Sequence, residues 1–262
     1  MNRPMSEARW DRQPPGDSGW RQALNETWEL RNSYAPVYRI STPGNVLYRY
    51  STGIKISMTH EGATKYFIVM GCEYASGYNL TSLYIYGGTD YTLGTGEITD
   101  FCFAAAHAPI GFPLDPRKWS VTVTDTSNRS QATPTLNVWY NLGGVSISIP
   151  FGLWRVRYEA SARSVAGTNA TSMHVATCLS ATTGGTAAAP IPRLSDATLL
   201  AGAAHTGLYA QVTHIGQGVV AQATESPVTY YLNIRTATAD AQYVQIRGNV
   251  RPTVIEAECA YL

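Results

Sequence analysis

The sequence predicts an all-β protein, and three observations carry that reading. From Val145 to Arg163 the side chains alternate in polarity: Val145, Ile147 and Ile149 against Ser146 and Ser148, then Trp154, Val156, Tyr158, Ala160 and Ala162 against Arg155, Arg157, Glu159, Ser161 and Arg163. A period of two with one apolar face is a half-buried antiparallel strand. Tyr, Thr, Ser, Gly and Ala dominate while Lys and Glu are sparse, the usage of sheet rather than helix. Beyond the first 45 residues, strand-like runs also follow one another with turn residues and no helix between them.

The 262 residues are enough for one large β-domain or two smaller ones. A net charge of +1 with no Lys/Arg cluster argues against a protein that grips nucleic acid by its phosphates. A surface poor in charge disperses badly, so part of it is expected to lie under partners. The opening MNRPMSEARWDRQPPG has no apolar segment and does not read as an export signal. No window has the length and apolarity of a membrane span. Without an export signal, Cys72, Cys102, Cys178 and Cys259 are expected as thiols, three of them inside strand-like runs.

Residues 1–45 read as an anchoring arm. Only Asp17 to Arg31 has helical spacing, with Trp20, Ala23, Leu24 and Trp28 along one side. A turn-rich arm cannot bury Trp10, Trp20 and Trp28 against itself, so they are expected on another copy or a neighbouring protein, the alternative being that the arm folds back on its own domain. Residues 46–125 read as a small β-sandwich-like domain. Val46, Tyr48, Tyr50, Ile54, Ile56 and Met58 carry one face, Tyr66 to Tyr74 is apolar on both, and Leu83–Tyr86, Ile98–Ala105 and Trp119–Val123 follow. The polar turn DTSNRSQATP closes that domain. In residues 126–262, eight to ten strands without helices, including Val228, Tyr230, Leu232, Ile234 and then Val244, Ile246, Val250, predict a sandwich of jelly-roll type.

The succession IPFGLWRVRYEASA, TYYLNIRT, QYVQIRG and a final strand resembles the trimeric jelly roll of the tumour-necrosis-factor and complement-globular-head type, over about residues 134–262. Similar domains occur in bacteriophage head fibres, decoration proteins and tail-fibre tips. The resemblance implies three copies about an axis. The arm and the additional β-domain depart from the animal signalling proteins and favour a virion role, in a phage fibre or decoration protein.

No catalytic constellation appears. His60, His107, His174, His205 and His214 are scattered, without metal spacing or a serine elbow, and no cofactor or metal is expected. GTGE at 94–97 lacks the lysine of a phosphate loop. Asp90, Glu97 and Asp100 lie in one Tyr- and Gly-rich region, but a glycosidase needs two carboxylates across a groove. DTSN at 125–128 is short of acidic ligands for calcium. Tyr74, Tyr78, Tyr84, Tyr86 and Tyr91 are candidates for stacking on sugars of a host surface, or for plain core packing.

The expectation is thus a non-enzymatic virion structural protein. Tyr231 beside Tyr230 and Tyr243 beside Val244 carry apolar surface on outward positions, so these two and Tyr261 are the expected oligomer interface. The N-terminal arm is expected to contact other virion proteins. A receptor- or carbohydrate-binding module at a fibre tip is the alternative, and a polysaccharide-degrading enzyme the third.

Overall fold

A computed structural model describes residues 18–167, 170–185, 191–205, 207 and 209–262, with the backbone alone described over 170–171 and 191–205. The protein is all-β, its sheets antiparallel throughout. Strands β1 (Arg21–Gln22), β2 (Glu29–Tyr34), β3 (Val37–Pro43), β4 (Lys55–His60), β5 (Ala63–Ala75), β6 (Leu80–Tyr86) and β7 (Ile98–Ala104) make one sheet in the order β1-β7-β4-β5-β6-β3-β2. Its two edge strands, β1 and β2, are joined by residues 23–28 alone. Seven flat strands would span about 29 Å, more than those six residues can cross, at most about 25 Å. The sheet therefore curls, and its concave side encloses Trp28, Tyr38, Ile40, Tyr50, Ile56, Met58, Phe67, Val69, Leu83, Ile85 and Phe101. Trp28 stacks on Phe101 with ring centroids 4.9 Å apart, drawing the connecting segment over the opening.

The remaining strands are β8 (Ser120–Asp125), β9 (Asn128–Ala132), β10 (Ser146–Ile149), β11 (Gly152–Ala166), β12 (Ala170–Ser180), β13 (Ile191–His205), β14 (Tyr209–Gln222), β15 (Val228–Thr236), β16 (Ala241–Arg247) and β17 (Thr253–Cys259). β8 and β9 run as one interrupted strand that pairs with β17 and β16, themselves the two halves of another. β11 pairs along one side with β14 and along the other with β17 and then β16. The second sheet is β10-β15-β12-β13. Counting each interrupted strand once, the first sheet has the order first, eighth, third, sixth and the second has second, seventh, fourth, fifth. That winding is an eight-stranded jelly roll.

The convex face of the curled sheet packs on the jelly roll. Ile68, Met70, Tyr84 and Tyr86 share one buried cluster with Ile149, Trp154, Trp119 and Cys259. Tyr86 meets Trp154 edge-on at 5.0 Å, Tyr84 stacks on Phe151 at 4.6 Å, and the Cys259 thiol lies 3.6 Å from the Met70 sulfur. A Cβ on Gly71 would stand 2.8 Å from the Phe151 ring, so this glycine leaves the space that the ring fills. Arg39 and Tyr84 on the sheet meet Glu225 on the jelly roll; Arg39 pairs with Glu225 at 3.1 Å and with Glu73, on its own sheet, at 2.9 Å.

Several sequence expectations need correction. Among residues 17–31 the described ones form no helix; the spacing of Trp20, Ala23, Leu24 and Trp28 coincides with a helical period, but β1 and the start of β2 lie there. The described part of the expected arm, from Ser18 to Asn45, is instead built into the curled sheet through β1, β2 and β3. Trp28 is core, and Trp20 lies half-buried, its indole N–H donating to the Ile110 carbonyl at 2.8 Å. Trp10 lies outside the described residues. The segment Ser120–Asp125, expected in the first domain, pairs with β17 in the jelly roll.

Candidate functional site

The outward face of the sheet that carries β14 is the most distinctive surface of the jelly roll. Along β14 the odd positions face out and the even positions face in, because a strand alternates. Tyr209, Ile215 and Val219 are 53%, 63% and 61% exposed, while Ala210, His214 and Val220 between them are buried. Gly216 is forced by what lies beneath it: a Cβ there would come 2.1 Å from the Tyr158 ring. Tyr158 is itself fixed by a 3.0 Å hydrogen bond from its hydroxyl to the Thr177 carbonyl. Within the described residues β14 pairs with β11 alone, so its far edge offers unpaired backbone groups.

Beside these aliphatics runs a groove of about 620 Å³ lined by Arg155, Arg157, Val219, Glu256 and Glu258. Arg157 pairs with Glu256 at 2.7 Å, and Arg251 with Glu159. Arg155 and Glu258 stand opposite each other in register, yet neither makes an ion pair among the described residues. Further along, the Arg163 guanidinium lies over the Tyr209 ring at 4.5 Å and over Tyr243 at 5.8 Å. The face thus offers aliphatic side chains, flat rings and charges of both signs. Chemically it can hold another protein surface.

The expected interface residues do not share one surface. Tyr243 belongs to this face, half-buried under Arg163. Tyr231 alternates with inward Tyr230 on β15 and so points out from the opposite sheet. Tyr261 lies at the seam with the curled sheet, its carbonyl accepting from Lys55. The sequence reading passed over Ile215 and Val219 because Gly216 and Gly218 break the alternation that would have marked them.

The five candidate ligand-binding tyrosines also separate. Tyr84 and Tyr86 are buried at the seam, where loss of solvation pushes both phenols upward. Tyr91 is half-buried against Tyr66 and Phe67. Only Tyr74 and Tyr78 reach the hairpin end between β5 and β6, with Tyr78 81% exposed. Among the carboxylates, Asp90 is held by Lys118, which pulls it below its ordinary range, and Glu97 and Asp100 are exposed. Asp125, in the candidate calcium turn, is engaged by Arg129 at 2.6 Å. No group of three His, Cys, Asp or Glu side chains that could hold a metal occurs among the described residues. The four cysteines are free thiols.

No family model matches the chain, and no curated protein matches it. Among solved structures it is similar to infectious bursal disease virus of the Gx strain at 16% identity and a TM-score of 0.30. That match covers 89% of this chain and 60% of the other, so the chain spans less than two thirds of that chain's length. The VP2 subviral particle of the same virus is similar at 11% identity and a TM-score of 0.31, with 95% and 78% covered. A tandem CBM22 domain from Paenibacillus barcinonensis Xyn10C is similar at 12% identity and a TM-score of 0.26, with 93% and 94% covered. Likenesses this distant carry no weight for function.

Proposed function

We propose that the chain is a non-enzymatic structural component of a virion, a phage fibre or decoration protein that associates in threes through its jelly roll. Contact with other virion proteins is assigned to its N-terminal side. The observation that supports this reading is the outward face of β14 and β11. Exposed Ile215 and Val219 lie on that face with Arg155 and Glu258, two opposite charges without an ion-pair partner among the described residues. A second copy would cover the aliphatics and supply the missing partners, in an interface of roughly 2,000 Å² if it is obligate. Light scattering on wild type and Ile215→Asp tests it: the wild type is expected as a stable oligomer and the variant as a monomer with an unchanged far-ultraviolet spectrum. A wild type that stays monomeric at micromolar concentration overturns the proposal.

A second reading, recognition of a host-surface glycan by the curled sheet, is favoured by the exposure of Tyr78 at its hairpin end.

A further inference from the structure

We infer that the end of the curled sheet carrying Tyr48 and Tyr78 binds uncharged hexopyranose units of a glycan; this deepens the glycan-binding reading and rests on it. Tyr78 and Tyr48 are 81% and 66% exposed, although most tyrosines of the described chain are covered. They belong to two loops that are stitched together. The Gly44 N–H donates to the Asn79 carbonyl at 2.8 Å, the Thr81 hydroxyl donates to the Gly44 carbonyl at 2.7 Å, and the Val46 N–H donates to the Thr81 oxygen at 3.0 Å. Chain reach then keeps Tyr48 within about 25 Å of Tyr78, the span of a short oligosaccharide.

The platform is braced from below. The Tyr74 hydroxyl donates to Asn79 Oδ1 at 2.9 Å, which fixes both side chains and leaves the exposed Asn79 amide N–H groups without a partner among the described residues. Asn45 Oδ1 likewise accepts from the Leu47 N–H, leaving its own amide N–H groups outward. The Arg49 guanidinium lies 5.1 Å over the Tyr48 ring and is neutralised by the buried carboxylate of Glu26. The turn 74–80, YASGYNL, carries no charge. Flat rings offer contact area at little cost in side-chain freedom, and amide donors read hydroxyl oxygens. Without net charge or a concave apolar groove, the surface suits a neutral sugar face better than an anionic polymer or a peptide.

The test is titration of the full chain with maltohexaose, cellohexaose and mannohexaose, followed by saturation-transfer nuclear magnetic resonance, for wild type, Tyr48→Ala, Tyr78→Ala and, as a control at the other end of the same sheet, Tyr34→Ala. At least one hexasaccharide is expected to bind wild type and the control. Affinity is expected to fall at least tenfold in each of the other two variants with melting temperature unchanged. Failure of all three sugars to bind wild type overturns the glycan reading itself. Binding that survives both substitutions keeps that reading and overturns this site.

Discussion

The Lys55 ammonium on β4 donates a 2.5 Å hydrogen bond to the main-chain carbonyl of Tyr261, joining the curled sheet to the last residues of the jelly roll. The lysine is buried, donates also to the Gly53 carbonyl at 3.2 Å, and faces the Phe112 ring at 5.5 Å. Burial lowers its pKa, so the contact keeps a costly charge only because those oxygens and that ring surround it.

Lys55→Ala is expected to lower stability by about 2–4 kcal/mol, since it removes a buried stem and strands two carbonyls. Lys55→Met keeps the stem and should cost less than half as much. Urea denaturation of the three proteins measures both differences; equal losses would show that packing of the stem contributes nothing.

Stability should fall as the pH rises past about 9. Burial pushes the Cys259 thiol up to about 11, the Cys178 thiol up to about 12 and the Tyr158 phenol up to about 12. Each group keeps its proton when folded and releases it when unfolded, so stability is complete below the unfolded pKa and is lost from there up to the folded one. Lys55 acts in the opposite sense, because its lowered pKa lets the unfolded chain hold more protons. The thiols, whose ordinary value is 9.0, titrate first when unfolded. Melting temperatures from pH 7 to 10.5 should show a steeper alkaline fall for wild type than for Cys178→Ser/Cys259→Ala.

Gly216→Ala is expected to destabilise by about 1–3 kcal/mol, because the added methyl would overlap the Tyr158 ring. Tyr158→Leu, which vacates that ring, should cost stability alone yet reduce the penalty of Gly216→Ala when combined with it. Denaturation of the double-mutant cycle gives the coupling; strict additivity would exclude the contact as the cause.

The seam should owe its strength to rings rather than charges. Phe151 fills the space over Gly71 and stacks on Tyr84, so Phe151→Ala is expected to cost about 3 kcal/mol or more. Glu225 pairs with Arg39 at a part-exposed site, and Glu225→Gln is expected to cost under about 1 kcal/mol. Calorimetry of both variants decides the ranking, and separate melting of the two β units in Phe151→Ala would show the seam opening first.

Much of the fold was legible where one face of a strand meets core and the other meets water. The alternation Val228, Tyr230, Leu232, Ile234 reappears as β15, with Tyr230, Leu232 and Ile234 buried. Reading failed where burial is two-sided or crosses the chain. Val46, Tyr48 and Tyr50 look like one strand face, but residues Leu47–Arg49 form a short 3-10 turn that turns Tyr48 outward and Tyr50 inward. Tyr84 and Tyr86 resemble a binding surface in sequence because the cover that hides them, Phe151, Trp154 and Trp119, is supplied by residues 30 or more positions away.

By itself the sequence determined the class of structure: its period of two, its turn residues and its sparse Lys and Glu admit antiparallel sheet and little else. Only the tertiary structure decided which apolar surfaces are left over. Local periodicity says that a side chain faces one way or the other, but not what stands on that side. Trp28 and the convex face of the curled sheet found cover within the chain, whereas Ile215 and Val219 did not.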